Sequence, residues 1–338
     1  MATTSRLRLP TFGVTIAVLA AIFIPTGIGN AAPSSHLTLT QVKAQMAVLN
    51  ARAERITEAF NSANTRLAEL QRKAKLTEKE LARDKALFSS SQDKLAAQAA
   101  AAYRSGGLDA TMSLVTSGSP QTFLDQTSTL AEVSHFQARQ IASAAAAQRT
   151  MAADQVLHDA QVKQQRDTLA SITAKRSAIN RLVAEQHALL SRLTAAAQAQ
   201  YSAEQNSVAA HQLALRGSYT GPASGQASAA VRYAYAQLGK PYYYGGAGPN
   251  SFDCSGLTMR AWGAAGVALP HNAAAQQSEI PGVSLSAMQP GDLVFFGSPA
   301  YHVGIYIGGG RMIAAPHTGT VVQIQSLSSY SPTSAGRP

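Results

Sequence analysis

Nine positions, Val42, Met46, Leu49, Ala53, Ile56, Phe60, Ala63, Leu67 and Leu70, follow one another by alternating steps of four and three without a miss. Only an α-helix brings such positions onto one narrow stripe, and that stripe needs a partner helix to cover it. A second helical stretch over residues 123–215 carries Leu169, Ile172, Ile179, Val183, Leu190 and Leu193 in similar register, with Arg176 and Gln186 as polar interruptions. Between the two lie Gly106-Gly107 and Ser117-Gly-Ser-Pro120, which break helices. The spacing therefore predicts a long antiparallel α-helical coiled-coil hairpin over residues 38–215, with a structured tip near 103–122. At about 1.5 Å per residue each arm reaches on the order of 100 Å. His135, His158, His187 and His211 are scattered along it without metal-ligand spacing and read as solvated surface.

What flanks this hairpin sets the compartment. Arg6 and Arg8 precede an apolar run over residues 12–24, and Gly29-Asn30-Ala31 places small residues where a signal peptidase reads. Residues 1–31 are expected to be a cleaved secretory signal, since the run is shorter than the roughly 20 residues a membrane span needs. Residues 216–226, rich in Gly, Ser and Pro, read as a flexible linker that lets arm and head move independently. The net charge of +10 on a secreted chain fits attraction to anionic cell-wall polymers or a membrane surface. No basic run interleaved with aromatics appears, which argues against nucleic acid.

The remaining residues, 227–338, hold most of the glycine and tyrosine. A helix over 227–238 is closed by Gly239 and Pro241. Asp253 is a good N-cap, placing Cys254, the chain's single cysteine, in the first turn of a helix running to Ala264. There the helix terminus favours a thiolate, so a lowered thiol pKa is expected. Short strands follow over 293–296, 302–307, 311–315 and 321–325, with Gly308-Gly-Gly310 as a hairpin turn. Alternation puts His302, Gly304 and Tyr306 on one face and Val303, Ile305 and Ile307 on the other, apolar face. His302 then stands at the strand start with small Gly304 leaving room beside it, a setting for the base that nucleophilic cysteine catalysis needs. One helical layer followed by strands makes this an α+β domain. The chain has no His-Glu-x-x-His zinc signature and no phosphate-binding Gly-Lys-Ser/Thr loop, so neither metal nor cofactor is expected.

Pro-Tyr-Tyr-Tyr-Gly-Gly, Asp-Cys-Ser-Gly-Leu, Pro-Gly-Asp-Leu-Val-Phe-Phe and His-Val-Gly-Ile-Tyr-Ile-Gly, in that order, resemble the NlpC family of papain-like cell-wall endopeptidases. The resemblance covers about residues 227–330. It implies a papain-like fold, with Cys254 as nucleophile, His302 as general base, and Tyr242 on the oxyanion side. It also implies hydrolysis of peptidoglycan stem peptides, usually between D-glutamate and the diamino acid, by a secreted, wall-associated enzyme. In the family a polar residue twelve positions after the base orients its ring. Here that residue is Ala314, and His317, three residues on, is the candidate substitute. Asp253 reads as a cap and His271 as a cleft-edge residue. The tip, from Tyr103 to Leu124, is similar to the arms of wall hydrolases regulated by a membrane division complex. The arm reads either as a passive spacer or as a regulatory arm, and a regulatory arm is expected to restrain a head able to damage its own wall. The rival readings are a non-catalytic wall-peptide binding module, an amidase or acyltransferase on the same dyad, and a structural protein whose hairpin is the working part.

Overall fold

The structure is a computed structural model that describes residues 37–104, 120–223 and 225–338. The expected signal, residues 1–31, and most of the expected tip lie outside the described residues. Helix α1 (Leu39–Arg104) is 66 residues long and α2 (Pro120–Leu190) 71. They run antiparallel. Leu37 N–H donates to Arg192 C=O, Gln186 Nε2 to Asn50 Oδ1, Gln165 Nε2 to Leu70 C=O and Gln161 Nε2 to Thr77 Oγ1, so one number falls as the other rises. The nine seam positions are all buried or half-buried. Val42 and Met46 close the near end against Leu189 and Leu193.

The second helical stretch is not continuous. It stops at Leu190, turns, and restarts as α3 (Ala195–Ala214) because the Thr194 hydroxyl accepts from Ala197 N–H as an N-cap. Residues 216–223, expected to be a free tether, instead lie against the head. Arg216 Nε donates to Leu238 C=O, Gly217 N–H to Tyr235 C=O, and the Tyr219 and Tyr235 rings meet at 5.1 Å. Composition marks a segment that can flex, but three tertiary contacts hold this one down.

The head places α4 (Gly225–Ala236), α5 (Cys254–Ala264) and α6 (Ala273–Glu279) with a six-stranded antiparallel sheet. Its strands are β1 (Gly282–Val283), β2 (Leu293–Gly297), β3 (Ala300–Gly308), β4 (Arg311–Ala314), β5 (Gln323–Ser326) and β6 (Ser334–Gly336), in the order β1-β6-β2-β3-β4-β5. The main core joins Val231, Leu257 and Trp262 of the helices, and Leu238 just after α4, to Leu293, Phe295, Val303 and Ile305 of the sheet. A smaller cluster of Val294, Phe296, Met312 and Ala314 covers the opposite sheet face, where β3 also carries His302. Gly304 does not leave room for the base. A Cβ there would meet Met312 Sδ at 2.6 Å, so the space belongs to methionine.

Candidate active site

The segment before α5 is folded by close backbone approach. A Cβ on Gly256 would lie 2.1 Å from Gly246 C=O, so only glycine lets the first turn of α5 lie on that loop. Asp253 is the N-cap, accepting from Gly256 N–H at 2.7 Å. Its other oxygen accepts from Gly245 N–H at 2.9 Å, and its first also faces His271 Nε2 at 2.8 Å. Burial works against a charged His271, and the Asp253 carboxylate nevertheless holds its pKa above the ordinary value. His271 is therefore tied to the cap beneath the nucleophile.

Cys254 opens α5 and is only 2% exposed. Its thiol donates to Glu58 Oε1 of α1 at 3.4 Å. The same carboxylate accepts from Ser255 Oγ at 2.7 Å, Ala273 N–H at 2.6 Å and Asn272 Nδ2 at 3.0 Å. One arm residue thus occupies the donors around the nucleophile. Three more residues of the same helix face join it. Asn61 Nδ2 donates to Asp253 Oδ2 at 2.8 Å, Thr57 sits against the Tyr242 phenol, and Glu54 Oε1 lies 3.9 Å from His302 Nδ1. Spacings of three and four put residues 54, 57, 58 and 61 on one stripe beside the seam. Phe60, a seam residue, meets Tyr244 edge-on at 6.0 Å, and the Tyr244 hydroxyl donates to Asn180 Oδ1 of α2.

This environment reverses the expected thiol chemistry. Burial, then the carboxyls of Glu58, Asp253 and Glu54, push the Cys254 pKa well above its ordinary value. The helix terminus favours a thiolate, but three carboxyls in a dehydrated site outweigh it. The two glutamates shift too. Burial and Glu58 raise Glu54 to about 8, and burial and Asp253 raise Glu58 to about 7. Burial raises the Tyr242 phenol as well.

His302 is 4% exposed, and its Nδ1 has no hydrogen-bond partner. Burial, with His317 nearby, lowers its pKa to about 4, so the ring is neutral. His302 and His317 line the same cavity, but no hydrogen bond joins them, and His317 Nδ1 faces Thr318 C=O at 3.0 Å. Ala314 is fully buried among apolar neighbours of the His302 face. Glu54, Thr57, Glu58 and Asn61 were invisible as site residues, since polar positions beside a helical seam read as solvated. The one trace is a like-charged pair at i and i+4, a spacing that disfavours an isolated helix.

Residues 239–335 match the model of the NlpC/P60 family. A probable endopeptidase of Mycobacterium tuberculosis strain H37Rv is 46% identical over 110 residues, 32% of this chain and 29% of the relative. A probable endopeptidase p60 of Listeria grayi is 48% identical over 103 residues, 29% of this chain and 20% of the relative. The chain thus spans less than a third of the length of these curated relatives. Among solved structures, the NlpC/p60 domain of the peptidoglycan hydrolase SagA is 37% identical, covering 33% of this chain and 98% of that one, with a TM-score of 0.32.

Proposed function

We propose that this chain, whose residues 239–335 match the NlpC/P60 family, is a latent peptidoglycan endopeptidase with its site closed by its own arm. The reading of the activity rests on one placement, Cys254 at the first turn of a helix in a head that matches this family. Once α1 has left, Cys254 attacks the carbonyl of a stem-peptide bond, between D-glutamate and the diamino acid by family likeness. His302 takes the thiol proton and returns it to the leaving amine. The Tyr242 hydroxyl and the Cys254 N–H face the developing oxyanion, and water then releases the acyl-enzyme. His317 lines the same cavity without a hydrogen bond to His302 while the arm is docked, and in the open form it takes the orienting place of the residue missing at Ala314.

Latency is supported by the four arm contacts. Glu58 fills the acyl side of the cleft, and with the nucleophile protonated and covered no substrate carbonyl reaches it. The antiparallel helical pair is then a coiled-coil hairpin serving as a regulatory arm of a secreted, wall-associated hydrolase in wall remodelling or division. Stem peptides are its substrate, anionic wall polymers attract its +10 charge, and a membrane division complex acting on the tip is the partner that lifts the arm.

A specific observation favours a second reading, a wall-peptide binding module: alanine stands where the family orients its base. A digest of purified peptidoglycan by a Glu58→Ala/Phe60→Ala chain, with fragments identified by mass, decides between the two. The endopeptidase reading expects new amine-terminated fragments that disappear when Cys254→Ala is added. Intact stem peptides after prolonged digestion leave the binding module.

A further inference from the structure

Helix α1 covers the two sides of the cleft unequally. On the acyl side Glu58 is bonded to four donors. On the His302 side α1 presents the small residues Ala47 and Ala51, and a cavity of about 480 Å³ remains between arm and head. That volume falls within the roughly 300–1,000 Å³ usual for small-molecule sites. Phe296, Tyr301 and Tyr330 give it aromatic walls.

Two polar groups in this cavity make no hydrogen bond. The buried His302 has no acceptor or donor at Nδ1, and Glu54, whose side chain is 13% exposed, lies 3.9 Å from that nitrogen and feels the Arg55 charge without a hydrogen bond to it. Arg55, next in sequence, is turned onto the Tyr301 ring at 4.9 Å. Asn50 is engaged with Gln186, and His317 with Thr318. Glu54 is the sole carboxylate among the lining residues, which include no lysine or arginine, and the Arg55 charge behind them offsets only part of what burial and Glu58 impose. A buried carboxyl whose neighbouring cation is turned onto a ring is an under-compensated arrangement that a bound ammonium corrects, and aromatic walls favour the same charge. Burial and Glu58 hold Glu54 up to about 8 although Arg55 pulls the other way, so the carboxyl is under-compensated.

The reaction sketched above supplies such a group, and the inference rests on that reading. His302 hands its proton to the leaving nitrogen, so the fragment departs on the His302 side as a free α-amine, which takes a second proton from water and becomes an α-ammonium. We propose that this cavity binds an ammonium-bearing peptide fragment, the amine-side product of stem-peptide cleavage, with Glu54 as counter-ion, and that its occupancy holds α1 on the head. The ligand touches both arm and head, so it binds the closed form. At a hundred times its Kd it reduces the open population about a hundredfold. The enzyme is then shut again by the product it releases.

The test is calorimetric titration of the full chain with L-lysyl-D-alanine and with its doubly acetylated form, beside alkylation of Cys254 by iodoacetamide. The free dipeptide is expected to bind, and the acetylated one not to. Glu54→Gln should weaken binding at least tenfold, and Ala51→Phe, which keeps Glu54 but fills the cavity, should abolish it. Saturating dipeptide should slow alkylation at least fivefold in wild type and leave the Glu54→Gln rate unchanged. Equal affinity of Glu54→Gln and wild type, equal affinity for the acetylated form, or faster alkylation with dipeptide each overturns the proposal. Binding needs no turnover, so the two readings fail separately. No dipeptide binding by a chain whose arm-loosened form cleaves stem peptides sinks the cavity alone. Glu54-dependent binding by a chain whose arm-loosened form cleaves nothing leaves the amine site standing and removes the endopeptidase.

Discussion

The Cys254 thiol donates to the Glu58 carboxylate, 3.4 Å away, and the two residues lie 196 positions apart in the chain. An arm residue therefore stands where a reacting group would be expected. That one contact joins the two halves of the chain, since whatever moves α1 also uncovers the nucleophile and removes a negative neighbour from it.

Loosening α1 should raise activity. Glu58→Ala removes the acceptor shared by Cys254, Ser255, Asn272 and Ala273, and Phe60→Ala removes the ring packed on Tyr244. Together they should increase hydrolysis of soluble stem peptide by the full chain at least tenfold. Unchanged turnover in a chain that still contains an active Cys254 makes the arm a spacer.

The thiol should titrate differently in the two states. In wild type the pH midpoint of Cys254 alkylation should lie above the free-cysteine value of about 8.5, since burial and three carboxyls oppose the thiolate. In Glu58→Ala/Phe60→Ala it should fall below that value, as water and the α5 terminus regain influence. The same midpoint in both chains would show that the arm does not set the thiol.

Docking of the arm should weaken as pH rises. Glu54 and Glu58 are raised from about 4.5 to about 8 and about 7 in the docked form, which therefore favours their protonated state. Their contribution is complete below the undocked value of about 4.5 and is lost as pH climbs through 7 and 8. Facing them are Asp253, Cys254, His271, His302 and Tyr242 from the head and Arg55 from α1, so ionisation adds negative charge beside Asp253. Hydrogen exchange at residues 54–61, corrected for intrinsic rate, should speed up between pH 6 and 9. The Glu54→Gln/Glu58→Gln chain, neutral at these positions throughout, should show a flat profile. An identical rise in that variant removes both carboxyls as the cause.

His317 should matter to turnover and not to folding. Its Nδ1 is committed to Thr318 C=O, and its ring lies with His302 on one cavity. In the arm-loosened chain His317→Ala should lower kcat at least tenfold with little change in Tm, and adding Ala314→His should restore part of it. Wild-type kcat in His317→Ala would assign the orienting role elsewhere.

Short-range patterns are what the sequence determined. The four-three spacing from Val42 to Leu70 requires a covered helical stripe. An aspartate before Cys254 caps a helix, and alternation after His302 assigns Val303, Ile305 and Ile307 to the core, because each depends only on residues a few positions apart. The tertiary structure decided everything that depends on distant surfaces meeting. It turned Glu54 and Glu58 from solvated positions into a plug and laid residues 216–223 on α4. It gave the space above Gly304 to Met312 and raised a thiol that its own helix would lower. Dehydration and charge act through space over a few ångströms, and no periodicity along the chain records which surfaces will come that close.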